Sequence, residues 1–186
     1  ISYLRGSAFT STTDITFRKI QRKAQGRMLR LIPECRFRLH LQKMDIYTHL
    51  GFVLGLETSI TKEEIFEQGT TTSYTENVYS EGLAYGARVG VSIQHPLTDR
   101  IYLTGGLQSY ILSFGPEKRE TTASSLNGQD RLESLSTSAR HTILHKNYVR
   151  DLAVIDSNQP SNALTYYEPF SSIGFQLGIV YYLKMQ

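Results

Sequence analysis

Met28-Leu-Arg-Leu-Ile-Pro-Glu-Cys-Arg-Phe-Arg-Leu-His-Leu41 is the stretch whose reading decides the fold. Alternate side chains of a strand point to opposite faces. Leu29, Leu31, Pro33, Cys35, Phe37, Leu39 and Leu41 therefore share one face, and Arg30, Ile32, Glu34, Arg36, Arg38 and His40 the other. One face is apolar and the other mostly charged. Four residues, Gln42-Lys43-Met44-Asp45, lead into a second arm of the same kind. There Ile46, Thr48, Leu50, Phe52, Leu54, Leu56, Thr58 and Ile60 oppose Tyr47, His49, Gly51, Val53, Gly55, Glu57 and Ser59. The arms form a hairpin from Arg27 to Lys62.

Such a ribbon suits two environments. In a soluble sandwich the apolar face packs inward. In a transmembrane barrel it meets lipid and the charged face lines the lumen. No run approaches the ~20 apolar residues of a membrane-spanning helix, and the mean hydropathy is −0.28. Neither fact argues against a barrel, whose alternating strands average to a polar composition. The formal charge of +3 is small and its basic residues are scattered, so no clustered basic face points to nucleic acid. A single cysteine, Cys35, excludes an intrachain disulfide.

Three more alternating segments lie downstream: Ser80 to His95, Ile101 to Phe114 and Tyr167 to Leu183. Pro96-Leu97-Thr98-Asp99-Arg100 reads as a short turn between the first two, because proline cannot continue a ladder and Asp supports turn geometry. Residues 61–79 and 115–165 are polar with little periodicity and read as long loops. Connections from the hairpin onward thus alternate short, long, short, long, as they do when short turns lie on the periplasmic side of a barrel and long loops outside it. Strands of 13 residues or more reach roughly 40 Å at about 3.3 Å per residue, enough to cross a membrane obliquely and project beyond it. Glycines on the charged face leave room in a narrow lumen for long arginine and tyrosine side chains.

The two hairpin arms, the Pro-Leu-Thr-Asp-Arg turn and the terminal Gly174-Phe-Gln-Leu-Gly-Ile-Val-Tyr-Tyr-Leu-Lys184 run together resemble the small outer-membrane β-barrel family, the OmpA-like or porin-like barrels. The resemblance covers about residues 27–115 and 166–186. It implies an eight-stranded antiparallel meander exported to the bacterial cell outer membrane. The end departs from the family's pattern, since Lys-Met-Gln follows Leu183 where members usually finish on an aromatic residue. Five long strands and an N-terminal fragment are countable. A closed eight-stranded barrel then requires two strands and part of a third ahead of Ile1.

The expectation is an all-β chain, residues 1–186 forming one transmembrane barrel domain. Its lipid face would be Leu29, Leu31, Phe37, Leu39, Leu50, Phe52, Leu54, Val89, Val91, Leu103, Leu107, Phe175, Leu177 and Ile179. Tyr47, Tyr102, Tyr181 and Tyr182 lie toward the short turns, where an aromatic girdle belongs. The lumen would hold a charge network of Arg30, Glu34, Arg36, Arg38, His40, His49, Glu57, Arg88 and Lys184. Paired side chains of this kind plug a small barrel. Within loop 115–165, Leu144, Tyr148, Val149 and Leu152 are apolar residues that a partner outer-membrane protein would cover. His141 and His145 read as solvated loop histidines rather than metal ligands. No Gly-x-Ser-x-Gly motif or phosphate-binding glycine loop is present, and no cofactor or catalytic role is expected. The function read from the sequence is a structural or partner-binding subunit of the outer membrane. Its alternatives are a small-solute pore of the same fold and a soluble lipocalin-like carrier, whose lumen would be apolar.

Overall fold

The computed structural model describes residues 2–5, 9–15, 17–147 and 156–182. Strands follow in the order β1 (Ser2–Arg5), β2 (Phe9–Ile15), β3 (Arg18–Leu31), β4 (Glu34–Leu41), β5 (Met44–Gln68), β6 (Thr71–Ser80), β7 (Ala84–Pro96) and β8 (Ile101–Phe114). They continue with β9 (Lys118–Leu126), β10 (Gln129–Asp130), β11 (His141–His145), β12 (Ser161–Leu164), β13 (Glu168–Pro169) and β14 (Ser172–Tyr181). Helix among the described residues amounts to one 3-10 turn and the four-residue α1 (Thr137–Arg140), which Ser136 caps through its hydroxyl. The chain is all-β, and its ladders form one open, mixed sheet. β11 and β12 run parallel, whereas the hairpin ladders are antiparallel.

Contacts divide the chain into two units. The first comprises residues 31–54, 84–113 and 168–186. Its strands lie in the order β4, β5, β7, β8, β14. β4 pairs with β5 from Glu34↔Gly51 to Leu41↔Met44, and β14 pairs with β8 from Ser172↔Tyr110 to Tyr181↔Ile101. The small core packs Val53, Tyr110 and Leu112 with Ile32 and Phe170. Between β3 and β4, Pro33 has no N–H to donate. Its carbonyl still accepts from the Phe52 N–H at 3.1 Å, so the pairing with β5 goes on past it.

The second unit comprises residues 1–30, 55–83 and 114–167. Here the order is β12, β11, β9, β6, β5, β3, with β1 and β2 both paired to β3. Its core includes Met28, Ile60, Tyr79, Phe114 and Leu144. Lys62 Nζ stands 5.1 Å from the centroids of both the Tyr79 and Tyr166 rings, within cation–π range. An exposed ladder joins β3 to β5: Lys19 to Glu67 at 3.9 Å, Arg22 to Glu64 at 2.7 Å and Lys23 to Glu63 at 3.1 Å.

This second unit corrects the loop expectations. Over 61–79, β5 continues to Gln68, turns at Gly69 with φ 58°, and returns as β6. Thr, Tyr and Val favour strands, and the opposite charges that β3 sets against β5 stabilise a pairing that buries neither face as an apolar surface. Over 115–165, β9 lies against β6, β11 against β9 and β12 against β11. Asn127 and Gly128, with φ 51° and 80°, make the turn between β9 and β10. Asn-Gly is a strong hairpin signal because both residues accept positive φ.

Alternation also breaks once inside the central hairpin. Glu57 has φ 49°, a left-handed conformation that costs a residue with a Cβ about 1–2 kcal/mol. Beyond it Thr58, Ser59 and Ile60 are all buried. A bulge interrupts alternation in this way by re-aiming the side chains that follow.

Candidate functional site: a buried charge cluster

In the unit built from β4, β5, β7, β8 and β14, the usual distribution of polarity is inverted. Phe37, Leu39, Leu50, Phe52, Val91, Leu103 and Leu107 are exposed, and Phe175 and Leu177 reach 83% and 86% exposure. On the opposite face Val53 and Tyr110 are buried together with His49 at 5%, Ser92 at 3% and Asp45 at 6%. Of the residues expected on the lipid face, Leu29 and Leu54 are half-buried and the others are exposed.

Glu34 is the hub of the polar face. Arg36 Nε donates to its Oε1 at 2.6 Å, and Arg88 Nη1 donates to its Oε2. Arg88 donates again through Nη2 to Gln108 Oε1 at 2.8 Å and lies 5.7 Å from the Tyr110 ring centroid. The Tyr110 hydroxyl donates to the same Gln108 oxygen at 3.4 Å. His49 places Nε2 2.7 Å from Ser92 Oγ and Nδ1 3.7 Å from Glu34 Oε1. A second cluster lies near the short turn, where Arg38 Nη2 donates to Asp45 Oδ2 at 2.8 Å and His40 Nδ1 lies 2.6 Å from Asp45 Oδ1.

Glycines make this packing possible. A Cβ on Gly86 would lie 1.9 Å from the Ile111 carbonyl oxygen, and one on Gly106 would lie 2.5 Å from that of Val91. Neighbouring backbones can approach this closely only without a side chain.

Of the nine residues expected in the lumen network, Glu34, Arg36, Arg88 and His49 meet in one cluster, and Arg38 and His40 meet around Asp45. Arg30 is buried on β3 in the other unit. Glu57 is exposed at its left-handed position, so it does not face inward as alternation predicts. Lys184 lies outside the described residues, as do Tyr148, Val149 and Leu152 of the expected partner loop. Leu144 is only 6% exposed, and its N–H donates to the Glu117 carbonyl at 2.8 Å. Its own unit covers it. Asp45, Ser92 and Gln108 complete the clusters. Alternation puts Ser92 and Gln108 on the correct face, but the pairing register that joins them to His49 and Arg88 is not visible in sequence. Asp45 was hidden by its reading as a turn residue.

Among the tyrosines near the short turns, Tyr102 and Tyr182 meet edge to face at 5.1 Å, and the Tyr182 hydroxyl donates to Gln94 Oε1 at 3.3 Å. In the other unit, burial pushes the Tyr74 phenol above its ordinary range, and the charges of Glu76 and Glu63 push the same way.

Ser92, His49 and Glu34 resemble a nucleophile, base and acid only superficially. Ser92 is enclosed, and Glu34 is already held by two guanidinium groups. His141 and His145 lie four residues apart on a strand, where that spacing spans about 13 Å. His145 Nε2 is 2.8 Å from Asn162 Oδ1. Among the described residues no group of three or more His, Cys, Asp or Glu is placed to hold a metal ion. No family model, curated protein or solved structure matches the chain.

Proposed function

We infer that this chain is a bacterial outer-membrane β-barrel protein whose lumen is plugged by its own side chains, serving as a structural or partner-binding subunit. One observation carries the reading: a five-stranded unit exposes its large apolar side chains and encloses Arg88, His49, Glu34 and Asp45. Water penalises both halves of that arrangement. Lipid removes the first penalty, and pairing within a closed lumen offsets the second. The open sheet is read as part of a closed barrel, since unpaired strand edges are not tolerated in hydrocarbon. Partner contact is assigned to residues 115–165, where β9, β11 and β12 pair, because surface segments held on a scaffold commonly carry recognition.

Membrane fractionation followed by a native gel of the detergent extract tests this reading. A discrete band well above the monomer, recovered from outer membranes, is the expected result. Recovery of folded protein in the soluble fraction without detergent would overturn it.

A pore of the same fold is favoured by one feature, the half-exposed side chains of Arg36 and Arg38 on the polar face. Planar-bilayer recording separates the two readings, because a plugged subunit gives no reproducible open channel.

A further inference from the structure

We propose that His49 is a proton-operated latch on the buried charge cluster, so that acidification loosens the plug. This rests on the plugged-barrel reading and adds a control to it. His49 joins β5 to β7 through Ser92 and faces Glu34 across 3.7 Å. Its Nδ1 is buried without a hydrogen-bond partner. From the strands packed against it, the charged groups acting on the imidazole are Glu34 and Arg36 of β4 and Arg88 of β7. Tyr47 and Gly51, its same-face neighbours on β5, add no charge at neutral pH, and Asp45 is taken up by Arg38 and His40.

With His49 neutral, the Glu34 carboxylate is matched against two arginines. Only Arg88 of these is enclosed; the Arg36 side chain is 60% exposed and hydrated. Protonation makes both ring nitrogens donors, and Nδ1 faces across 3.7 Å the Glu34 oxygen already bound by Arg36. The proton therefore draws Glu34 toward His49 and away from the arginines. It also leaves two enclosed cations, His49 and Arg88, sharing one carboxylate. A buried charge without its own partner destabilises the packing around it, and an imidazole is the side chain that changes charge between pH 8 and pH 5.

The test is the thermal unfolding midpoint of the full chain in detergent micelles at pH 8.0 and pH 5.0. The wild type is expected to lose ~3 °C or more on acidification, and H49Q to lose less than half as much. An equal loss in H49Q, or no loss in the wild type, overturns the latch. H40Q/H95Q/H141Q/H145Q, which leaves His49 as the sole histidine, covers the case in which H49Q does not fold. It is expected to keep the full loss, and disappearance of the loss in this variant would place the sensor elsewhere. If the chain is soluble and folded without detergent, the membrane reading fails. The same pH comparison then proceeds in buffer and judges the latch independently.

Discussion

Removing Glu34 alone is expected to harm the fold far more than removing Glu34 and Arg88 together. The two side chains are 14% and 13% exposed, so each depends on the other for neutralisation. Truncating one member of a buried pair costs about 3–5 kcal/mol, whereas replacing both by apolar groups is often close to neutral. E34M strands Arg88 with only the Gln108 oxygen at 2.8 Å and the Tyr110 ring, so it belongs in that range. R88M is milder, because Glu34 keeps Arg36 at 2.6 Å. For a chain of this size, ~1 kcal/mol moves the midpoint by about 2–4 °C. E34M should therefore lower it by roughly 6–20 °C, and E34M/R88M should recover most of that loss. The chain has no tryptophan, so the β-sheet circular dichroism band in micelles is the suitable signal. Single substitutions that each cost under ~1 kcal/mol and simply add would mean the pair behaves as a solvated surface ion pair. The buried polar face would then be wrong.

Leu177→Arg, at the most exposed apolar position of β14, is expected to cost ~2–4 kcal/mol and to block membrane insertion if the belt meets lipid; on a water-facing surface it would stay within ~0.5 kcal/mol, and liposome flotation separates the two. Gly86→Ala should abolish folding or cost more than ~3 kcal/mol, since its Cβ would strike the Ile111 carbonyl. Gly174→Ala, with open space around its Cβ, should stay within ~0.5 kcal/mol in the same unfolding experiment. Glu57→Gly relieves a left-handed residue, and denaturation should show a gain of up to ~1 kcal/mol after the added freedom of the unfolded chain is subtracted. A loss there would mean that its carboxylate has a partner inside the unit. Cys35 is exposed on the apolar face of β4, so in liposomes a membrane-permeant maleimide should label it while a sulfonated one leaves it unmodified; equal labelling by both would place that face in water.

Alternation made the apolar belt and the facing row of Glu34, Arg36, Arg38, His49 and Arg88 readable in sequence. A two-residue period needs no knowledge of what lies across the sheet. Two limits of that signal explain what was missed. Periodicity reports burial of one face, so strands such as β6 and β9, whose two faces are both polar, carry none of it and were read as loops. Asn127-Gly128 was the available clue there, a turn signal without apolar flanks. Alternation also assumes an unbroken ladder, and Glu57 shows the cost of that assumption: one left-handed residue moves a carboxylate expected inside to the surface. The grouping of charges into a Glu34 cluster and an Asp45 cluster depends on cross-strand register, which no single strand encodes.

The ladder of Lys19, Arg22 and Lys23 against Glu67, Glu64 and Glu63 lies on strands with no greasy side to fix their alignment. Each exposed pair contributes little strength, ~0–1 kcal/mol. Together they act as a proofreading code. Sliding β5 by two residues one way would bring Lys62 to the place of Glu64, opposite Arg22, and the other way would offer Phe66. In both cases all three attractions vanish at once. Correct alignment here is chosen by sign rather than enforced by burial. Such a choice is sensitive to its medium: at ~1 M salt the screening length falls to about 3 Å, and these strands would lose their means of recognising the right partner while keeping every backbone hydrogen bond they need to pair with a wrong one.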